Sequence, residues 1–495
     1  MAQAPVIQWQ QSYGGSGNDY ANDIQPTPDG GYILVGSSTS NNGNLTVNQG
    51  NADCWVVKLN ATGNLQWQKS LGGSANDIAR SVANTADGGF IIAGSTGSNN
   101  GDVTGNHGGL NDYWVVKLNA AGNILWQKTF GGSSNEEAQV IQATAAGGYI
   151  IAGASNSNNG DVSGNHGNYD SWIIKIDGTG NLLWQKSFGG TGTDEAEALV
   201  ATADGGFIMA ALSNSNNGDV TGNQGSFDYW IVKLDATGNI QWQQSYGGSG
   251  GDEPTCIQTT ADGGYIVGGI TASNNGNVTG NNGLYDYWVV KLNSNGNLQW
   301  QTALGGSSME IAYGIQPTPD GGYIIAGNSG SNNGQVTGNH GGYDGWVAKL
   351  NANGILQWQK SIGSAAADGM AALLNANDNG YIVVGYNSAA NGDVTTNQGG
   401  ADCWVVKLSR DALNNASFKN QAITISQNPA NEVLQWQTSG DITITKIKII
   451  DSNGKIVLEQ YNNTNTLNIA MLANGIYILE AYAENEKITT KFIKK

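Results

Sequence analysis

Aspartates recur at two fixed places along this chain, where they could do metal chemistry. One stands two residues before each tryptophan of a repeated segment that reads DYWVVKL or a close variant, and others lie ten or so residues earlier. Carboxylate, amide and backbone oxygens could together hold calcium. No stretch matches a DxDxDG calcium loop, however, and Asp and Asn also cap turns by bonding nearby backbone amides. The first set is Asp53, Asp112, Asp170, Asp228, Asp286, Asp344 and Asp402, and the second is Asp102, Asp161, Asp219 and Asp393.

The three histidines, His107, His166 and His340, share one position in this repeated pattern. The same position holds Gln or Asn in the other copies. A zinc site needs ligands that converge within about 2.1 Å of one ion. Because the three copies are spread along the chain and Gln or Asn can replace His, we expect a hydrogen-bonding role on a ligand-binding face.

Few polar residues break the repetition, and those that do are mainly glutamates. Paired carboxylates can hydrolyse glycosides when they lie about 5–10 Å apart, a distance that the sequence does not define. The chain contains no GxSxG, no HExxH and no phosphate-binding Gly loop. We therefore find no catalytic constellation, and the glutamates are candidates for an acidic rim. The residues that break the repeat are Arg80, Glu136, Glu137, Glu195, Glu197, Glu253 and Glu310.

The overall charge and the cysteines narrow the class of protein. A net charge of −18 repels phosphate backbones and argues against nucleic-acid binding. No apolar run has the roughly 18 residues of a membrane helix. Cys54, Cys256 and Cys403 are few and widely spaced, so we expect buried thiols and no disulfide framework.

These residues lie on seven copies of one unit. A Trp-Gln pair recurs every 58 or 59 residues, and a second tryptophan series follows the same period. Each unit reads as four short strands with DGG and TGN-type hairpins, in which Gly supplies the positive φ. The chain begins on a fourth strand, Ile7–Tyr13, and the last unit stops at a third strand. Residues 5–408 are therefore predicted to form an all-β, seven-bladed β-propeller whose N-terminal strand closes the last blade.

The long loops of all seven units are predicted to share one face, and binding functions usually lie on loops of a rigid scaffold. The units resemble the DGGYI…DYWVVKLDxxGNxxW repeats of bacterial surface propellers, a group with no established common activity. We expect a monomeric surface adhesin or lectin that binds a glycan or a protein, with calcium as a candidate cofactor. The alternatives are a polysaccharide hydrolase or lyase and a structural or motility-associated surface component.

The last part of the chain differs in pattern. Residues 409–420 read as a polar linker and 421–495 as a small β-sandwich. The segments QNPANEVLQW, IKIIDSNGKIV and LNIAMLANGIYILEA with a Lys-rich end resemble the type A C-terminal sorting domain of type IX secretion cargo in Bacteroidetes. The matching residues are Asn428, Pro429, Ala430, Asp451, Gly454, Gly475, Tyr477 and Lys494.

That resemblance implies an exported protein. A signal peptide, absent from this chain, would carry it across the inner membrane of a Gram-negative bacterium. The tail would then be recognised by the type IX translocon and its outer-membrane shuttle protein and cleaved. The cargo would be released or anchored at the outer-membrane surface.

Overall fold

The structure is a computed structural model that describes residues 3–45, 47–145, 147–411, 423–438, 444–451, 454–461, 465–483 and 486–495. The chain divides into two units, Met1–Ala412 and Leu413–Lys495, and each is described by itself. Throughout the described ranges the regular elements are β-strands, and none is a helix. The predicted linker, 409–420, lies outside these ranges from residue 412 onward.

The first unit consists of seven four-stranded antiparallel sheets, the blades. Blades 1 to 6 are β2–β5, β6–β9, β10–β13, β14–β17, β18–β21 and β22–β25, and blade 7 is β26–β28 with β1. The strands are β1 (Ile7–Tyr13), β2 (Asp19–Pro26), β3 (Tyr32–Ser38), β4 (Asp53–Leu59), β5 (Leu65–Leu71), β6 (Asp77–Asn84), β7 (Phe90–Thr96), β8 (Asp112–Leu118), β9 (Ile124–Phe130), β10 (Glu136–Ala143), β11 (Tyr149–Ser155), β12 (Asp170–Ile176), β13 (Leu182–Phe188), β14 (Asp194–Ala201), β15 (Phe207–Ser213), β16 (Asp228–Leu234), β17 (Ile240–Tyr246), β18 (Asp252–Thr259), β19 (Tyr265–Thr271), β20 (Asp286–Leu292), β21 (Leu298–Leu304), β22 (Glu310–Pro317), β23 (Tyr323–Ser329), β24 (Asp344–Leu350), β25 (Leu356–Ile362), β26 (Gly369–Asn375), β27 (Tyr381–Asn387) and β28 (Asp402–Leu408).

The blades form a closed ring. The first strand of each blade packs against the first strand of the next, and β2 of blade 1 packs against β26 of blade 7. The N-terminal β1 pairs antiparallel with β28, so that Tyr13 lies opposite Cys403. The predicted seven-bladed propeller and its closure by the N-terminal strand are therefore confirmed, and blade 7 has four strands like the other six blades.

The two tryptophan series differ in burial. The tryptophan of every third strand is at most 2% exposed. Its indole N–H donates to the Gln of the Trp-Gln pair on the fourth strand, as Trp114 does to Gln127 at 2.9 Å. Across the ring closure Trp404 does the same to Gln10 at 2.9 Å. The fourth-strand tryptophans are mostly half-buried and pack against the core of the junction between blades. The two tryptophan series therefore have different roles. The third-strand tryptophan is buried and bonds the fourth strand, and the fourth-strand tryptophan packs at the junction between blades.

The second unit is a small sandwich of two sheets, with strand orders β29-β30-β33 and β32-β31-β34-β35. Its core includes Leu434, Trp436, Leu479 and Phe492, each at most 1% exposed. The predicted small β-sandwich is therefore found, and its described part has seven strands. They are β29 (Ile423–Ile425), β30 (Val433–Thr438), β31 (Ile444–Ile450), β32 (Ile456–Tyr461), β33 (Thr466–Asn468), β34 (Gly475–Ala483) and β35 (Glu486–Lys494).

Candidate ligand-binding site

The seven aspartates before the third-strand tryptophans are structural. Each is the first residue of its strand rather than a loop residue, and all seven are fully buried. Asp112 shows the pattern: its Oδ2 accepts the backbone N–H of His107 at 2.8 Å. Its Oδ1, like the Oδ1 of the other six, is buried without a hydrogen-bond partner.

Each of these aspartates faces a second acid at the start of the next blade. Between Asp53 and Asp77 lies Gly72, where a Cβ would meet the two carboxylates at 2.8 and 2.7 Å. The second acid is fully hydrogen-bonded, since Asp77 accepts from the N–H of Gly73 at 2.7 Å and from the hydroxyls of Ser98 and Thr96. We call the two acids and their glycine a carboxyl clamp. The second acids are Asp19, Asp77, Glu136, Asp194, Asp252, Glu310 and Asp368.

The carboxyl clamps do not support the predicted calcium sites. Each offers one free oxygen, whereas calcium takes six to eight oxygen ligands. Within the described ranges no group of three or more His, Cys, Asp or Glu side chains could hold a metal. Burial instead raises the pKa of Asp228, Asp286 and Asp402 to about 6, as expected for carboxyls that are removed from water beside a second acid.

The predicted loop residues join one blade to the next. The imidazole of His107 lies with Nδ1 2.6 Å from Asp112 and Nε2 3.6 Å from Asp161 of the following blade. His340 lies in the same way between Asp344 and Asp393, at 2.7 and 3.7 Å. The three histidines thus belong to three separate junctions.

Where the repeat has Gln in place of His, the amide makes the same link. Gln49 Nε2 donates to Asp102 at 2.8 Å. The Nδ1 atom of the third histidine, His166, lies 2.7 Å from Asp170. The loop residue Asp219 accepts the backbone N–H of Gly189 at 3.3 Å. The predicted loop candidates therefore form hydrogen bonds within the scaffold, and they do not converge on one site.

A β-bulge near the start of every first strand creates a different set of residues. The register between the first and second strands shifts once in each blade, as between Ala79 and Ser81. A bulge re-aims the side chain of the extra residue, and all seven extra residues line the cavity on the ring axis. Their residue types all differ, although the residue before the bulge is Ala in five of the seven blades. They are Asn22, Arg80, Gln139, Glu197, Thr255, Tyr313 and Ala371.

The axial cavity has two halves, and both contact this ring of seven side chains. The upper half, of about 430 Å³, extends towards the loop-rich face, where Tyr20, Asn328 and Tyr386 line it. The lower half, of about 520 Å³, extends towards the hairpin face and is lined by Gln25 and Gln142 among other residues. Because Tyr20 and Tyr386 line only the upper half, its lining contains more kinds of side chain that could contact a ligand.

Four of the seven bulge residues have free polar groups. Asn22 donates to the carbonyl of Ala79 at 2.7 Å, and Thr255 donates to that of Ala312 at 2.8 Å. In the part of the chain that the structure describes, no hydrogen bond or ion pair occupies the side chains of the other polar members. These free groups are Arg80, Gln139, Glu197 and Tyr313.

The charge around the upper half is unevenly distributed. At the position of Tyr20, blades 3, 4 and 5 carry Glu137, Glu195 and Glu253. Burial and the nearby Glu195, Glu253 and Glu137 together raise the pKa of Glu197 to about 8, although Arg80 acts to lower it. One side of the mouth is therefore acidic, and the other side carries Tyr20, which meets Tyr386 edge-on at 5.3 Å.

Two of the glutamates predicted for an acidic rim do not lie at a rim. Glu136 and Glu310 are fully buried in carboxyl clamps, where Glu136 accepts the N–H of Gly132 at 2.8 Å. Tyr313, Gln139 and the other uncharged bulge residues were not predicted as site residues. Alignment of the seven repeats contains part of the missing signal, because this position holds seven different residue types.

The predicted sorting residues hold together the ends of the second unit. Asn428 Oδ1 accepts the N–H of Ile493 at 2.9 Å, and Ala430 donates to the carbonyl of Ile493 at 2.8 Å. Pro429 lies between them. Asp451 and Gly454 form the β31–β32 turn, in which Asp451 accepts the N–H of Lys455 at 2.9 Å.

The remaining sorting residues lie on the last two strands. The Tyr477 hydroxyl donates to the Ala473 carbonyl at 2.9 Å, and its ring stacks on Phe492 at 5.7 Å. Gly475 and Lys494 face each other in the β34–β35 pairing. These residues make contacts that stabilise the sandwich. The pattern that they form in the sequence therefore indicates the fold of the second unit.

Comparison with known proteins identifies the tail. Residues 427–495 match the secretion system C-terminal sorting domain family. This type IX sorting tail shows that the chain is secreted or carried at the cell surface, and it implies contact with the type IX secretion machinery. No helix with the length and apolarity needed to cross a membrane occurs among the described residues.

The similarities of the whole chain are distant. The regulatory protein FlaEY of Caulobacter vibrioides is 24% identical over 273 residues, which are 49% of this chain and 28% of that protein. The chain thus spans less than a third of that relative.

Three solved structures have low geometric similarity. The Pan2 WD40 domain of Neurospora crassa has a TM-score of 0.45 at 12% identity, covering 82% of this chain and 97% of its own. The extracellular domain of the two component system BT4673 from B. thetaiotaomicron has 0.43 at 11%, covering 99% and 60%. PorZ, a surface component of the type IX secretion system of Porphyromonas gingivalis, has 0.26 at 10%, covering 100% and 86%.

Proposed function

We propose that this protein is a surface binding protein, exported by the type IX system of a Bacteroidetes bacterium, whose ligand occupies the upper half of the axial cavity. The observation that supports it is the set of seven bulge residues. The Asp, Trp and Lys positions of the third strand are the same in all seven copies, whereas the seven bulge positions hold seven different residue types and line one cavity. A scaffold needs repetition, and a site that recognises one ligand needs asymmetry.

A glycan suits the dimensions and chemistry of this half. Ligand cavities are typically about 300–1,000 Å³, and the upper half falls within that range. Tyrosines offer apolar faces with a polar tip, while Arg80, Gln139 and Glu197 offer donors and acceptors for hydroxyl groups. The loop-rich face then serves as the entrance to one site instead of carrying seven weak ones.

Glycan binding by cavity variants tests this proposal. Arg80→Gln with Tyr313→Thr places in blades 2 and 6 residue types that blades 3 and 5 already carry, so the scaffold should tolerate them. We expect this double variant to lose about tenfold or more in affinity, equivalent to about 1.4 kcal/mol. The measurement is isothermal calorimetry after a glycan panel has found a ligand.

A loop variant controls for the change at the surface. Asp219→Asn alters the loop-rich face outside the cavity, and blades 1 and 5 carry Asn44 and Asn277 at that position. It should bind as the wild type does, with or without a chelator. Equal binding by the cavity double variant, or loss confined to Asp219→Asn, would contradict the proposal.

A polysaccharide hydrolase or lyase is the second candidate, because the cavity holds a carboxyl with a raised pKa. A general acid works best with a pKa near the operating pH, and burial raises that of Glu197 to about 8. On this hypothesis Glu197→Gln abolishes turnover of a bound oligosaccharide and retains its binding. Release of reducing ends measures turnover, and binding without turnover by the wild type would reject this candidate.

A further inference from the structure

Glu197 lines the upper half of the axial cavity together with Arg80, and three further glutamates lie close enough to Glu197 to raise its pKa. Glu137, Glu195 and Glu253 come from three successive blades. Glu197 is the bulge residue of the strand that also carries Glu195. Burial, and after it repulsion by neighbouring acids, raises the pKa of Glu195, and the same causes act on Glu197. Repulsion between like charges inside a cavity costs free energy unless a cation relieves it.

Arg80 does not supply that cation by direct contact. It is exposed into the cavity from blade 2, and within the described ranges no carboxylate lies within ion-pair distance of it. Glu197 likewise has no hydrogen-bond partner among the residues that the structure describes. An unpaired guanidinium and an unpaired carboxyl in one cavity provide separate places for an acceptor oxygen and for a cation.

The wall opposite the glutamates is aromatic. Tyr20 and Tyr386 meet edge-on at 5.3 Å between blades 1 and 7, and Tyr313 adds a third ring from blade 6. The faces of aromatic rings attract ammonium groups, with about 0.5–2 kcal/mol per contact. Carboxylates on one side and aromatic rings on the other therefore complement a small organic cation better than a neutral hydroxyl.

We propose that the upper half of the axial cavity binds its ligand through a primary ammonium group, held between the glutamates of blades 3 to 5 and the tyrosines of blades 1, 6 and 7. This inference rests on the proposed function and specifies its ligand class. Arg80 then donates to an oxygen of the same ligand. An amino sugar has both groups, and so does a lysine residue with its backbone carbonyl.

The test compares three probes on the full chain by isothermal calorimetry at about pH 6.5, where aliphatic amines are charged. D-glucosamine carries the ammonium, N-acetyl-D-glucosamine has the same ring without the charge, and Nα-acetyl-L-lysine amide carries the ammonium without the sugar. We expect D-glucosamine to bind at least about tenfold more tightly than its N-acetyl form. The lysine probe separates the sources: binding as tight as D-glucosamine indicates a peptide ligand, and binding about tenfold weaker indicates a sugar.

A charge-neutral variant identifies the carboxylates responsible. Glu195→Gln with Glu253→Gln changes only rim positions where other blades carry Tyr20, Ile78 or Gly369. We expect it to abolish the preference for D-glucosamine and to leave binding of the N-acetyl form unchanged. Asp219→Asn should retain the preference, because its carboxylate lies outside the cavity.

The outcomes separate this inference from the proposed function. Equal or tighter binding of N-acetyl-D-glucosamine overturns the ammonium site, and the proposed function stands if Arg80→Gln with Tyr313→Thr abolishes that binding. A preference for D-glucosamine that survives the glutamate substitutions also overturns the ammonium site. Absence of binding by all three probes overturns it too, and the wider glycan panel then decides the proposed function alone.

Discussion

At the scale of single residues, the glycine of the carboxyl clamp is the most constrained position of the repeat. Gly72 and its six equivalents bring their Cα between two buried carboxyl groups, and an added Cβ would lie 2.3–3.0 Å from oxygens on both sides. A Cα–H can make a weak contact with a carboxylate oxygen, which accounts for the position of the unpartnered Oδ1 atoms. The glycine is therefore required for space, since none of these seven has a positive φ.

Gly72→Ala tests this requirement. We expect it to lower the free energy of unfolding by about 1–3 kcal/mol, because the methyl group must separate two blades that the carboxyl clamp joins. Gly178→Ala is the control, since its Cβ would meet nothing within 4 Å and should leave stability unchanged or slightly raised. Urea unfolding measures both variants, and equal stability would refute the steric explanation.

At the scale of elements, the first hairpin of each blade pairs a buried lysine with an acid. Six blades place the third-strand lysine on the aspartate of the DGG turn, which reads DNG in blade 7, with Nζ–Oδ distances of 2.7–2.9 Å. The lysine side chains are at most 6% exposed and the aspartates about half exposed. In blade 3 the sequence has Ala146 at the aspartate position, and Lys175 lies 6.0 Å from the ring centre of Phe207. In six blades the third-strand lysine is thus buried and paired with a turn aspartate.

Asp320→Ala tests the contribution of one such pair. Lys349 is fully buried, so loss of its acid leaves a charged donor with weaker acceptors, and we expect a cost of about 1–3 kcal/mol in unfolding free energy. Adding Lys349→Met should recover much of that loss, because it removes the unpaired charge and keeps the volume. If the double variant is as unstable as the single one, the pair is not what stabilises the hairpin.

At the scale of the whole molecule, the ring closes through a strand with no hairpin to its partner. β1 and β17 have the same sequence, IQWQQSY. The TGN-type turn ties β17 to β16, whereas β1 pairs with β28 from the other end of the propeller. Trp9 and Trp242 occupy the same place in these strands, and each packs against the turn glycine of the next blade, Gly63 or Gly296.

Trp9→Ala and Trp242→Ala therefore form a matched pair. Both lose the same contact, with an expected cost of about 3 kcal/mol or more in unfolding free energy. Only Trp9→Ala also weakens the ring closure, so we expect faster hydrogen exchange in β28 than the other variant causes in β16. Equal exchange in the two strands would show that closure is no weaker than an ordinary hairpin.

The fold was predictable because its signals are local and repeated seven times. Turn glycines, apolar inner strands and the tryptophan period depend on the 58-residue unit alone, and the closing strand follows from where the pattern starts and stops. The sorting tail was predictable for a similar reason. Its residues make the turn and terminal contacts that define that sandwich, so the type IX export signal can be read from the sequence.

The candidate site depends on the tertiary structure. Alternation along a strand assigns each side chain to a face, and one extra residue at a bulge reverses that assignment, which the sequence of one strand by itself does not indicate. Arg80, Glu197 and Tyr313 reach the axis for this reason, and only ring closure brings three different blades together there. The carboxyl clamps form in the same way, since Asp53 and Asp77 belong to different blades. The sequence by itself determined the repeat, the propeller and the export tail, and the tertiary structure decided which acids support the scaffold and which are free to meet a ligand.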